Sequence, residues 1–317
     1  MRILISDYPD VLASRDLAVE IQAIHDFDNR VEVEVYPYQS YQEFIQKVQT
    51  ADGLLTAFLD LDAAFFENNL KLQCISINAT GFDKVDLEAA ANKNIQVVPL
   101  VDYCTEDVAD HTLALLLSLN RKLKAYTKQI EQNHVWRYKS VGSMHRLSTQ
   151  TLGIIGCGKI GCTVAKRAQV FGMEIIGYDP YKTEAELKQF GIKKVDWSEI
   201  QLRADIISNH VATTSENKAI FNHEFFENLE KSPLFLNLGR GENVVEGALL
   251  QALDKGWIRG AGLDVLFSEK PDLKDEPLLY RENVIITPHA SFYSEESLRS
   301  LQLQSVSNLV ENLEVVE

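Results

Sequence analysis

Short apolar runs recur along the whole chain, separated by turn residues and by stretches with helical spacing. Residues 2–6 (RILIS) are the first such run, and residues 31–36 (VEVEVY) alternate apolar and polar at period two, as in a strand with one wetter face. Residues 53–58 and 72–77 read as further short strands, and 95–98 as another that Pro99 stops. Residues 41–48 and 85–92 carry helical spacing between them. Strands alternating with helices over about 100 residues predict a small parallel α/β domain.

Residues 106–123 read as one long helix, with Val108, Leu113, Leu116, Leu117 and Leu123 around much of its circumference. A helix apolar nearly all round is buried, inside a domain or in a subunit interface. Residues 133–147 carry Trp136, several basic residues and little periodicity, which predicts a surface excursion. A second series of strands follows at 152–155, 174–178, 204–208, 234–238, 260–265 and 284–287. Helices are predicted over 162–171, over 245–255 with Gly256 as its stop, and over an amphipathic 294–313, and a short one near Val195, Trp197 and Ile200.

The stretch from Thr151 to Pro180 organises this second series. An apolar strand runs into Gly156-Cys157-Gly158-Lys159-Ile160-Gly161, then a helix, then a second strand ending on Asp179. Gly156 permits the tight turn, Gly158 removes a side chain where a pyrophosphate approaches the backbone, and Gly161 lets the helix pack on the strand. The helix N-terminus offers N–H groups and a positive dipole end to phosphates. Asp179, about 20 residues on, can accept from both ribose hydroxyls of an adenosine and would repel a 2′-phosphate, so NAD is preferred to NADP.

Composition narrows the picture. The 317 residues suffice for two domains, and 45% apolar with 24% charged content is that of a soluble globular chain. A net charge of −15 argues against a nucleic-acid surface but leaves room for a small anionic substrate held by a few local cations. The opening MRILISDYPD lacks the long apolar core of a secretory leader, and no apolar run is long enough to span a membrane. Cys74, Cys104, Cys157 and Cys162 form no disulfide framework, and the histidines have no paired metal-ligand spacing, so no metal is expected and the cytoplasm is the expected compartment.

Candidate reactive side chains fall at or just beyond the ends of the predicted strands, where an open α/β sheet places its ligands. Arg240, between Gly239 and Gly241, could hold a carboxylate through two parallel hydrogen bonds. His289, after Pro288, can give or take a hydroxyl proton. Glu269 is a candidate partner that would stabilise its imidazolium, and Asp264 could accept from a nicotinamide carboxamide. The Ala79-Thr80-Gly81 turn follows a strand, and successive N–H groups there could cradle a substrate carboxylate. Thr80, Val211, Leu238 and Gly239 join the candidate cofactor contacts, and Phe292 the candidate substrate contacts.

With these residues assembled, the sequence resembles the D-isomer-specific 2-hydroxyacid dehydrogenases over nearly its whole length. The markers are ATGFDKVD at 79–86, EDVADHTLALLLSLNR at 106–121, GIIGCGKIG at 153–161, NLGRGENVVEGALLQAL at 237–253, GAGLDV at 260–265, Glu269-Lys270-Pro271 and TPHAS at 287–291. The resemblance implies two doubly wound parallel-sheet α/β domains. A Rossmann NAD-binding domain, residues 100–290, would be inserted in a flavodoxin-like substrate domain made of residues 1–99 and 291–317. It implies Arg240, Glu269 and His289 as the catalytic set. It implies Lys159, Ile160, Asp179 and Asp264 on NAD, and a homodimer with the helix near 106–121 in its interface.

TPHASFYSEESL at 287–298 is most similar to the branch that contains the C-terminal binding proteins, although Phe292-Tyr293 stands where the animal members have Trp-Tyr. Ala212 replaces a proline common in the family, and Lys270 separates Glu269 from Pro271. The expected activity is reversible hydride transfer between NADH and a small 2-oxo acid, with His289 as acid and base. The alternatives are an NAD(H)-sensing, corepressor-like scaffold with little turnover, and an NADP-dependent glyoxylate or hydroxypyruvate reductase, against whose cofactor Asp179 argues.

Overall fold

The computed structural model describes every residue except Thr80, Phe82, Asp83, Ser215, Glu269 and residues 314–317. The chain divides into two units, Met1–Cys104 with Tyr293–Glu317, and Thr105–Phe292. Among the described residues, no helix is long and apolar enough to cross a membrane.

The first unit holds a five-stranded parallel sheet of β1 (Arg2–Asp7), β2 (Glu32–Pro37), β3 (Gly53–Thr56), β4 (Cys74–Ile77) and β5 (Gln96–Pro99), in the order β2-β1-β3-β4-β5. This is the flavodoxin-like order. The central strands β3 and β4 are buried at every position and are mostly apolar, while the edge strand β2 is only partly buried over most of its length. One face packs Leu4, Leu54 and Ile75 on Phe44, Phe65 and Phe66. The other packs Ile3, Ile5 and Leu55 on Ile24, Val306 and Leu309, so the chain's last helix, Glu295–Glu311, completes the first sheet's core.

Two differences from the expected elements have local causes. The strand expected over 53–58 stops at Thr56, because the N–H groups of Ala57 and Phe58 turn to Asp7 Oδ2, at 2.6 and 3.2 Å. The helix Leu17–Phe27 was not among the expected elements. Asp16 caps it by accepting from the Ala18 N–H, and Leu17, Ile21 and Ile24 supply its inner face.

The second unit holds seven parallel strands: β6 (Thr151–Ile155), β7 (Glu174–Tyr178), β8 (Lys193–Lys194), β9 (Ile206–Asn209), β10 (Leu234–Asn237), β11 (Gly260–Leu263) and β12 (Val284–Ile286). Their order is β12-β11-β10-β9-β6-β7-β8, the doubly wound dinucleotide-binding arrangement with one further edge strand. The order reverses between β6 and β9, where such sheets open a crevice for a ligand. On one face Phe221, Phe225, Phe226 and Phe235 pack edge to face, with Phe221 and Phe235 centroids 5.0 Å apart.

The long helix is shorter than its pattern implied. It runs Thr105–Asn120, and Lys122 at φ 53 turns the chain into a separate helix, Leu123–Glu131. Val108, Leu113, Leu115, Leu116 and Leu119 are buried inside the unit, so most of the apolar circumference is used within the domain. Trp136, in the expected surface excursion, is 89% exposed.

Phe235 is fully buried at the centre of the aromatic cluster and cannot be truncated without a void. Phe235→Ala should destabilise the protein by about 3–5 kcal/mol, read as a lower urea midpoint, whereas an unchanged midpoint would mean that the cluster adds little to the core.

Candidate active site

The glycine turn is built by backbone approaching backbone. Gly156 has φ +85, and a Cβ there would lie 2.9 Å from Val211 Cγ2 and 3.0 Å from the His210 carbonyl carbon. A Cβ on Gly161 would lie 2.3 Å from the Gly156 oxygen. Gly158 differs: a Cβ there would meet nothing within 4 Å. It stands as the N-cap, without a side-chain cap, of the helix Lys159–Val170, which starts earlier than the expected residue 162. Open ground at an uncapped helix N-terminus fits a pyrophosphate.

Asp179 is drawn back to the same turn. Its Oδ2 accepts from the Cys157 N–H and its Oδ1 from the Tyr181 N–H, both at 2.9 Å. Each oxygen keeps a lone pair for a ribose hydroxyl. Cys157 and Cys162 are packing residues: both are buried, and burial pushes the Cys157 thiol up to about 12. No cluster that could hold a metal ion exists among the described residues.

Arg240 rides on an arch between β10 and a short 3-10 turn, Gly241–Asn243. Both flanking glycines are required by contact. A Cβ on Gly241 would lie 1.8 Å from the Leu266 oxygen, and one on Gly239 would lie 2.6 Å from the Val211 oxygen. The guanidinium is half-buried, and Nη1 donates to the Gly239 carbonyl at 2.9 Å. Among the described residues no carboxylate pairs with it, which leaves most of its donor fork for an anion.

Beneath the arch lie three buried asparagines that the sequence reading passed over. Asn209, Asn237 and Asn243 are 0%, 1% and 0% exposed. Asn209 Nδ2 donates to Asn237 Oδ1 at 2.9 Å and to Asn243 Oδ1 at 3.3 Å. The available signal was an Asn closing each of two apolar strands, at 209 and 237.

Asp264 follows β11 and is 1% exposed. Its Oδ1 accepts from Thr287 Oγ1 at 2.6 Å and from the Ala290 N–H at 2.9 Å, and its Oδ2 from the Ser291 N–H at 3.0 Å. Burial pushes its carboxyl up, but the donors of Ser291, Thr287 and Ala290 outweigh that and hold it below the usual carboxylate range. The His289 N–H donates to the Asp264 carbonyl at 2.7 Å. Asp264 therefore ties down the segment that carries His289, a task the sequence did not reveal.

His289 has φ +50, a left-handed conformation uncommon outside glycine, and its ring meets Phe292 edge to face at 6.3 Å. His111, also unforeseen, has Nε2 3.0 Å from Thr287 Oγ1. Since that hydroxyl proton goes to Asp264, His111 Nε2 donates.

The structure thus brings Gly156, Gly158, Lys159, Ile160, Gly161, Asp179, Val211, Leu238, Gly239, Arg240, Asp264 and His289 to or beyond the C-terminal ends of strands in one sheet. Val211 donates its N–H to Asn209 Oδ1 at 3.1 Å, and the Leu238 N–H donates to the Asn209 carbonyl at 3.1 Å. Ala79 and Gly81 belong to the first unit, beyond β4, where the Ala79 carbonyl accepts from the Leu100 N–H at 3.0 Å. Thr80 and Glu269 lie outside the described residues.

Two measurements follow from this geometry. Gly158→Val should leave the melting temperature within about 2 °C of the parent yet weaken NADH at least about tenfold, while Gly161→Val should lower both. A Gly158 variant that binds NADH normally would place the pyrophosphate elsewhere.

The second concerns His210, whose Nδ1 is shut off from water without a partner, and whose pKa burial pushes down from 6.5 to about 4. Between those values the unfolded chain takes up a proton that the folded one refuses. Stability is therefore fully present above pH 6.5 and falls toward pH 4, by on the order of 2–3 kcal/mol. Urea midpoints of His210→Leu at pH 7 and pH 5 should differ less than those of the parent, and an equal difference would clear His210.

The comparisons agree with this architecture. The family model described as D-isomer specific 2-hydroxyacid dehydrogenase, NAD binding domain, matches residues 113–291. A glyoxylate reductase of Korarchaeum cryptofilum is 33% identical over 275 residues, 86% of this chain and 82% of that protein. A D-3-phosphoglycerate dehydrogenase of Methanocaldococcus jannaschii is 37% identical over 274 residues, 85% of this chain but 51% of that longer protein. The crystal structure of Aquifex aeolicus D-lactate dehydrogenase, complexed with NAD and lactic acid, is similar with a TM-score of 0.83 at 28% identity, covering 96% of this chain and 93% of that one. The dinucleotide turn, the arginine arch and the buried aspartate under His289 therefore stand in a chain that belongs to the D-isomer specific 2-hydroxyacid dehydrogenase family, NAD-dependent oxidoreductases acting on the CH–OH group of 2-hydroxy acids.

Proposed function

We propose that this protein interconverts a small 2-oxo acid and its D-2-hydroxy acid, with Arg240 as the anion-binding group and His289 as acid and base. The observation that carries the reading is the Arg240 arch, a half-buried guanidinium whose side-chain bond goes to a neutral carbonyl, on the same sheet edge as the glycine turn. NAD(H), when bound, supplies or accepts the hydride. Gly158 and the first turn of the following helix take its pyrophosphate, and Asp179 takes its adenosine ribose. Arg240 holds the substrate's carboxylate and its carbonyl oxygen through its planar fork, and gains strength there as negative charge develops on that oxygen.

His289 delivers the proton to the carbonyl oxygen in reduction and removes it in oxidation. Its left-handed backbone is held by the Asp264 carbonyl, which fixes where the imidazole starts. Glu269 is the proposed partner that stabilises the imidazolium. Phe292, against the His289 ring, limits the substrate's side chain. Asp179 favours NAD over NADP because its charge would meet a 2′-phosphate. The names of the relatives favour glyoxylate, hydroxypyruvate or pyruvate-sized substrates, and turnover over a non-catalytic scaffold. Assembly as a homodimer belongs to the same proposal.

The test is NADH oxidation with glyoxylate, pyruvate, hydroxypyruvate, 2-oxoisocaproate and phenylpyruvate. Arg240→Ala should raise KM and lower kcat, and His289→Ala should lower kcat by about 10²- to 10⁴-fold with NADH affinity kept. Tight NADH binding without turnover of any acid would favour the scaffold.

A further inference from the structure

Arg240 is an arginine whose own side chain has little to hold it, so its aim depends on its backbone. That backbone is gripped on both sides by one residue. Asn237 Oδ1 accepts from the Gly239 N–H at 3.2 Å, and Asn237 Nδ2 donates to the Arg240 carbonyl at 3.1 Å. Asn237 is itself held by Asn209, whose Nδ2 reaches both Asn237 and Asn243 and whose Oδ1 accepts from the Val211 N–H at 3.1 Å. Asn243 then extends the network. Its Nδ2 donates to Thr213 Oγ1 at 3.3 Å and to the Asn217 carbonyl at 3.2 Å, and approaches Asn217 Oδ1 at 3.4 Å. Asn217 closes the loop on itself by donating to the Ala212 carbonyl at 2.7 Å.

Three uncharged amides at 0–1% exposure thus join two pieces of backbone. One is the arch at 239–241. The other is the loop beyond β9, whose Val211 packs on the glycine turn at Gly156. The two pieces also touch directly, since the vacant Cβ direction of Gly239 lies 2.6 Å from the Val211 oxygen. The network is neutral throughout, so it sets direction without competing for the anion that the guanidinium awaits. Buried amides whose donors and acceptors are matched to one another are rigid, because any rearrangement strands a polar group away from water.

We infer that Asn209, Asn237 and Asn243 are positioning residues that hold the Arg240 arch and the Val211 loop in a single register, so that substrate-binding arginine and cofactor-facing loop behave as one rigid piece. The inference rests on the proposed role of Arg240 in holding the substrate.

A double-mutant cycle tests it. Asn243→Leu is nearly isosteric, and the Asn243 side-chain amide touches neither the Arg240 side chain nor its peptide groups; the backbone N–H of Asn243, which donates to the Arg240 carbonyl at 3.3 Å, is kept in the variant. In the parent, Asn243→Leu should lower kcat/KM for the preferred 2-oxo acid by about 10- to 100-fold, the scale of a misplacement near 1 Å. In an Arg240→Lys background, where the planar fork is already lost, the same change should cost less than about threefold. Any loss of melting temperature should be equal in the two backgrounds, which separates aim from stability. Equal fold-losses of kcat/KM in both backgrounds would overturn the inference while leaving the Arg240 reading intact. Full turnover by Arg240→Lys alone would instead overturn that reading. Asn243→Ser, carried through the same cycle, gives the same decision should the leucine variant fail to fold.

Discussion

The second unit depends on how closely backbone can approach backbone at the reversal of its strand order. The helix Lys159–Val170 seats on β6 only because Gly161 has no side chain to strike the Gly156 oxygen. The loop beyond β9 seats on the same turn only because Gly156 has none to strike Val211. The arch at Gly239 then seats on that loop, and Gly241 on the Leu266 carbonyl. A chain of missing methyl groups thus joins the dinucleotide turn to the arginine. Each link is a hard-sphere limit, so no side-chain rearrangement could substitute for it.

Onto this frame the chain adds polar groups in two different ways. Around Arg240 they are neutral amides, which fix a direction and leave the positive charge available. Under His289 the group is a buried carboxylate, Asp264, kept ionised by the donors turned toward it from residues 287–291. A buried carboxylate without such donors would be neutralised, and the segment would lose its anchor. The same ring of bonds accounts for the left-handed backbone at His289, a conformation that persists only where its surroundings impose it. In a chain with net charge −15, anion binding has to be local, and both devices serve that end without adding surface charge.

Much of the fold was legible because parallel strands buried on both faces are written as largely apolar runs, and β1, β4, β6, β7 and β10 are of that kind. The glycine fingerprint with Asp179 was legible because its spacing is set by local geometry within one strand-turn-helix-strand unit. The less regular elements were not. β8 is two lysines, Lys193–Lys194, paired only at the sheet edge, and the helix Leu123–Glu131 that follows the turn at Lys122 lies beyond the pattern expected over 106–123. Such features are decided by neighbours distant in sequence, which a periodicity does not contain.

The sequence by itself determined the strand-and-helix alternation and the dinucleotide turn, and it put Arg240 and His289, the proposed reactive residues, beyond strand ends. A residue's type and its local spacing carry that information. Only the tertiary structure decided what aims them. Asn209, Asn237 and Asn243 lie up to 34 positions apart, Asp264 and Ser291 are separated by 27, and His111 meets Thr287 across 176. Amides, hydroxyls and carboxylates have no meaning as a network until the sheet brings their strand ends together, because a hydrogen bond is fixed by distance and direction in space.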